Sequence, residues 1–140
     1  ASVECWCVLC CQINDSGDMN NVLNQEMQKM IMPILKRENG HTLKSVEKRL
    51  GNNSAKLFCN ETALIVAELV KYPLAKVTNI WMGAGDLNGI KSLLPEVEMY
   101  AEKMGCSRLE FTGREGWKRW TEKNDLGWTM KNIVMEKEIA

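Results

Sequence analysis

The apolar positions of this chain change period several times, and each change marks an element. From Met19 to Leu35 they fall at Val22, Leu23, Met27, Met30, Ile31, Ile34 and Leu35, the spacing of one helix face. The polar run Asn14-Asp15-Ser16-Gly17-Asp18 ahead of it predicts a turn that supplies the N-cap. Pro33 predicts a kink or an end to the regular helix. Leu43, Val46 and Leu50 predict a second, shorter helix, closed by Gly51-Asn52-Asn53. Thr42 and Ser45 give it a capping signal that lacks the Glu or Gln of a full capping box. At the front of the chain, Val3 to Ile13 is almost continuously apolar and predicts a strand.

The middle of the chain reads as strands. Ala55 to Cys59 and Thr62 to Tyr72 are predicted as a hairpin joined at Asn60-Glu61. In the longer strand Leu64, Val66 and Glu68 share one face, and Ile65, Ala67 and Leu69 the other. Pro73 ends it, and Leu74 to Met82 returns as a third antiparallel strand. Gly83, Gly85 and Gly89 are read as breaking that strand. Ile90, Leu93, Leu94, Val97, Ala101 and Met104 then predict a helix, with Gly105 as its C-terminal glycine. Arg108 to Thr112 is a strand, Arg114 to Asn124 a helix with Trp117 and Trp120 on one side, and Thr129 to Ile139 a last strand. The strand-helix-strand unit from Leu74 to Thr112 implies two parallel neighbours joined by a right-handed crossover. The fold class is therefore mixed α/β (α+β), with a mainly antiparallel sheet flanked by helices. Residues 1–140 are read as a single domain.

Bulk composition narrows the function classes. Lys plus Arg equals Asp plus Glu at 18 each, so the net charge is zero. That gives no electrostatic case for nucleic acid or anionic membrane as the main partner. No apolar run approaches the ~20 residues of a membrane span. The amino terminus, with acidic Glu4 and no basic start, does not read as a signal peptide. Six cysteines include Cys5, Cys7, Cys10 and Cys11 in one cluster. A metal site on Cys7 and Cys10 would need a second ligand pair, and the one histidine, His41, has no companion near it in sequence. The expectation is no metal, no disulfide framework and buried thiols in a reducing compartment.

The order of elements, and particular residues within it, carry a resemblance. The run from Lys71 to Trp120 has an apolar strand ending in Gly83, Gly85, Asp86 and Leu87. A helix follows, closing on Gly105 and Cys106, then a strand and the turn Gly113, Arg114, Gly116 and Trp117. This resembles the GCN5-related N-acetyltransferase (GNAT) fold, and within it small GNAT-like proteins of tailed bacteriophages. The resemblance covers Leu43 to the end, and the earlier segment by layout.

That resemblance implies a site. In the enzymes, acetyl-CoA lies between two diverging parallel strands, and its pyrophosphate rests on backbone N–H groups at the next helix start. The matching cofactor-binding positions here are Gly83, Ala84, Gly85 and Gly89, with Arg114 as a ligand for phosphate or carboxylate. Glu68 and Glu110 are the candidate catalytic bases for an amine. Two departures stand against catalysis. Asp86 puts negative charge where the phosphates would sit, with no Gln or Arg leading the loop. Trp117 and Trp120 occupy the helix where the enzymes carry a proton-donating tyrosine. The resemblance thus implies a non-catalytic virion or morphogenesis component, with acetyl-CoA-dependent acyl transfer as the alternative. It implies other phage or virion proteins, or a second copy, as partners. It places the chain in the host cytoplasm or packaged in the virion.

Overall fold

The computed structural model describes residues 23–139, so the predicted strand at Val3–Ile13 and the Cys5–Cys11 cluster lie outside the described residues. Helix α1 runs Gln25–Glu38. Its N-cap is Asn24, whose side chain accepts the Met27 N–H at 2.9 Å. Pro33 does not end it. The ring sits on the exposed face, and so does Lys29, whose carbonyl loses its helical donor there. The end comes at Asn39, in the left-handed region at φ 52°, whose N–H closes on the Leu35 carbonyl. Helix α2, Leu43–Gly51, carries a complete capping box, with the Ser45 hydroxyl taking the place of Glu.

Four strands follow in a single sheet: β1 Ala55–Cys59, β2 Ala63–Lys71, β3 Lys76–Gly85 and β4 Arg108–Phe111, in spatial order β1-β2-β3-β4. The first three form the expected antiparallel meander, and β4 lies parallel to β3. Helix α3, Leu87–Lys103, makes the crossover, and α4, Glu115–Lys123, follows β4. Period-2 alternation in β2 sends Leu64 and Val66 to one face and Ala63 and Ile65 to the other. The first face is covered by α1 and α2 through Met27, Ile31, Val46 and Leu50. The second is covered by α3 through Ile90, Leu93, Leu94 and Val97, and α4 adds Trp117 and Trp120. The sheet is thus buried on both faces, as a mixed α/β fold with a crossover requires.

Three expectations need correction. Strand β3 does not stop at Met82; it stays paired with β2 through Gly85. Its glycines do not break the strand, and one of them lets the β1–β2 turn come close. A Cβ on Gly85, at φ +104°, would stand 2.2 Å from the Thr62 carbonyl oxygen. The final strand is absent: residues 129–139 have no strand pairing and are exposed throughout. The expectation of thiols fails at Cys59, which is buried in β1 and disulfide-bonded, while Cys106 is a free thiol accepting the Thr78 hydroxyl at 3.2 Å.

Two glycines with positive φ should therefore respond differently to alanine. Gly85→Ala adds backbone overlap to conformational strain and should cost roughly 3 kcal/mol or more. Gly105→Ala, at φ +77° with open space around it, should cost about 1 kcal/mol. Urea denaturation of both variants at unchanged m-value checks the difference.

Candidate functional site

Strand β3 has unequal neighbours. Its ladder with β2 runs from Lys71↔Lys76 to Ala63↔Gly85. Its ladder with β4 covers only Val77↔Arg108 to Ile80↔Phe111. The point of separation coincides with a β-bulge. Ala67 pairs with Ile80 and Val66 with Met82, so Trp81 is an extra residue in β3. A bulge bends and twists the strand that carries it, and here it sits where the ladder with β4 ends. From Trp81 to Gly85 the β4-side edge of β3 has no strand partner among the described residues.

The gap is a cleft of about 680 Å³. One wall is β3 from Ile80 to Gly85, and the other is the segment from Phe111 to Trp117. Met30, Ile34, Arg37 and Glu38 of α1 form a rim. The wall after β4 is aromatic. Phe111 meets Trp117 edge-on at 6.1 Å and Trp128 at 5.0 Å, and Trp117 meets Trp120 at 5.6 Å. Gly113 makes this packing feasible, since a Cβ there would stand 2.8 Å from Trp117 Cδ1. Trp117 and Trp120 are half-buried, touching the core on one side and the cleft on the other. Arg114, the N-cap of α4, makes no capping bond and lines the cleft with Arg37 and Arg119.

The helix start at the end of this cleft is already served. Asp86 is the sole residue between β3 and α3. Its carboxylate Oδ2 accepts the Gly89 N–H at 3.1 Å, and its own N–H donates to the Thr62 carbonyl at 3.0 Å. An anionic ligand at this helix start would face a fixed negative charge, and one of the amides it would use is taken. Of the expected cofactor positions, Gly83, Ala84 and Gly85 line the cleft from within β3, and Gly89 lies buried inside α3 rather than in a loop. A Cβ on Gly89 would stand 2.4 Å from Thr62 Oγ1.

Asn60 is the residue that sequence reasoning treated only as a turn. Its Oδ1 accepts the N–H groups of Thr62 and Ala63 at 3.0 and 2.9 Å, and its Nδ2 donates to the Gly89 carbonyl at 3.0 Å. It ties the hairpin to the first turn of α3. An Asn followed two residues later by Thr is a local signal for the first half of that role; nothing local signals the second.

Glu68 and Glu110 are brought together, away from the cleft. Both pair with Asn79 of β3, so the three form one row across β2, β3 and β4. Glu68 Oε2 lies 2.7 Å from Arg49 Nη2, and its Oε1 accepts the Asn79 amide at 3.1 Å. Glu110 Oε2 accepts from Arg108 Nε at 2.7 Å. Each carboxylate is neutralised by its own arginine, and neither lines the cleft. Arg49 also stacks 4.8 Å over the Trp81 ring, on the residue that makes the bulge. Tyr100, whose hydroxyl is pushed up by burial and then by Cys106, packs on Phe58 beneath α3 and is not a cleft residue.

Solved structures resemble this fold closely in shape and distantly in sequence. An aminoglycoside acetyltransferase from an uncultured soil metagenomic sample, in complex with trehalose, superposes with TM-score 0.59 at 11% identity. The match covers 81% of this chain and 84% of that one. A possible acetyltransferase from Clostridium difficile 630 gives 0.60 at 12% identity, over 82% and 90% of the two chains. A transcriptional regulator from Bacillus halodurans C-125 gives 0.61 at 12% identity, over 82% and 91%. No protein-family profile matches this sequence, and neither does any curated protein. The GNAT-like fold implied by the sequence resemblance is therefore the fold of this chain.

The arginine partners of the two glutamates set up a stability contrast. Arg49→Met leaves the 15%-exposed Glu68 carboxylate without its cation and should destabilise by about 1–2 kcal/mol. Glu110→Gln, at an exposed pair, should stay within about 0.5 kcal/mol. Thermal melts of the two variants check the ranking.

Proposed function

We propose that this is a GNAT-fold protein that works by contact rather than by acyl transfer. The observation that carries the reading is Asp86. Its carboxylate caps α3 through Gly89, at the place where the pyrophosphate of acetyl-CoA would need open amides and positive potential. Among the described residues, the two glutamates considered as bases are spent on Arg49 and Arg108. The aromatic wall formed by Phe111, Trp117, Trp120 and Trp128 suits a contact surface, since tryptophans and arginines dominate binding energy at interfaces. The Gly-Arg-x-Gly-Trp turn at Gly113 to Trp117 supports a tailed-phage setting, in which the protein serves as a virion or morphogenesis component among other phage proteins.

A second reading, an acetyl-CoA-dependent N-acyltransferase, draws on the parting of β3 and β4 at the Trp81 bulge. That slot could take the extended arm of the cofactor as an added strand, with Gly83, Ala84, Gly85 and Arg114 along it.

Calorimetric titration separates the two. The contact reading expects no heat with acetyl-CoA and no thiol release over a panel of amines. Micromolar binding by the native protein would overturn it. Asp86→Ala should lower stability by about 1 kcal/mol through the lost cap. If it also brings acetyl-CoA into the micromolar range, Asp86 alone closes the cofactor site.

A further inference from the structure

The cleft side of β3 is bare as well as unpaired. From Trp81 to Gly85, about 16 Å at strand rise, it borders the cleft and meets no strand of its own sheet among the described residues. Gly85 is glycine because the Thr62 carbonyl crowds it. Gly83 has no such reason. Its φ is not positive, and a Cβ there would meet Ile65 and Ile90 at an ordinary 3.9 Å. Both isoleucines line the cleft, so the missing side chain leaves cleft space beside a strand edge. A glycine of that kind inside a strand marks a close approach by another backbone.

The charges around the opening do not balance internally. Arg37, Arg114 and Arg119 line the cleft with Glu38 and Glu115. None of these side chains is in an ion pair among the described residues. Asp86 lies outside the lining, with its carboxylate engaged by the Gly89 N–H. One guanidinium is therefore in excess.

We propose that the cleft takes an extended peptide segment of a partner protein, apolar but for one acidic residue, as a strand added to β3 between Trp81 and Gly85. The proposal rests on the contact reading and names the partner's chemistry; the peptide is held and not acylated. Each part of the cleft selects one property of the occupant. The open edge calls for a main chain with donors and acceptors at strand spacing. The wall of Phe111, Trp117 and Trp128 calls for apolar side chains. The excess cation calls for a single carboxylate. Arg114, on the segment facing the edge and free of any capping bond, is placed to take it bidentately. A nucleic acid would bring a charge with every nucleotide to an opening that has one to neutralise.

A synthetic array of random eight-residue peptides, probed with the native chain, tests this. The sequences retained should be apolar with one Asp or Glu, and the best should bind with micromolar affinity in titration. Backbone amide signals of Met82 to Gly85 should shift as it binds. Methylating alternate amides of that peptide should weaken it at least about tenfold, because the added strand loses its main-chain bonds. Lysine in place of its acid should weaken it about tenfold, and Arg114→Glu should restore the lysine form. An array with no binder overturns the proposal. So do retained peptides that are basic, or binding indifferent to amide methylation. Cleft amides that shift only with the protein's own concentration would put a second copy there and overturn it too. Micromolar acetyl-CoA binding defeats the contact reading itself, whereas an empty array without acetyl-CoA binding defeats the peptide proposal alone.

Discussion

Strand β3 answers to two neighbours that make different demands on it. Strand β2 holds it along its whole length, while β4 holds four of its residues. The extra residue at Trp81 reconciles the two, because it bends β3 where the second partnership stops. The surroundings depend on that bend. Trp81 is flanked by His41 at 4.8 Å and by the Arg49 guanidinium, so the α2 side of the sheet braces it. Beyond it, Gly83 to Gly85 carry the strand to the single linking residue of α3, and the cleft is what the bend leaves open.

Much of this architecture was legible because burial on both sheet faces leaves a clear trace. The helical spacing of Val46 and Leu50, the alternation of β2, and the run from Ile90 to Ala101 all report real core positions. What misled were residues whose effect depends on tertiary contact. Pro33 reads as a kink or a stop, yet the helix runs on to Glu38 with Pro33 on its solvent face, where an unbonded carbonyl costs little. Gly85 reads as a strand breaker, yet the Thr62 carbonyl beside it is what requires glycine. Residues 129–139 read as a strand because their apolar content suits one, yet they have no strand pairing and are exposed; periodicity reports what a segment could pair with and not whether it does.

The candidate site divides the same way. Asp86 as a negative group at the helix start could be read from the chain, since an acidic residue ahead of an apolar helical run is a local feature. The neutralised glutamates could be read only in part. Arg108 and Glu110 are two apart in a strand and so share a face, a pairing visible in the sequence. Arg49 reaches Glu68 from a different element, and no local pattern announces it. The aromatic wall joins Phe111 to Trp128 across a whole helix and depends on the fold to exist.

The amide of Asn60 spans 29 residues of sequence to reach Gly89. With Gly85 and Gly89 pressed against Thr62 and Ala63, it locks the β1–β2 turn to the start of α3. Neither segment can loosen without stripping donors or acceptors from the other, so the two open and close as one cooperative block. The contact closes a stretch of 29 residues, so the entropy it costs is that of a non-local closure and not of a local turn.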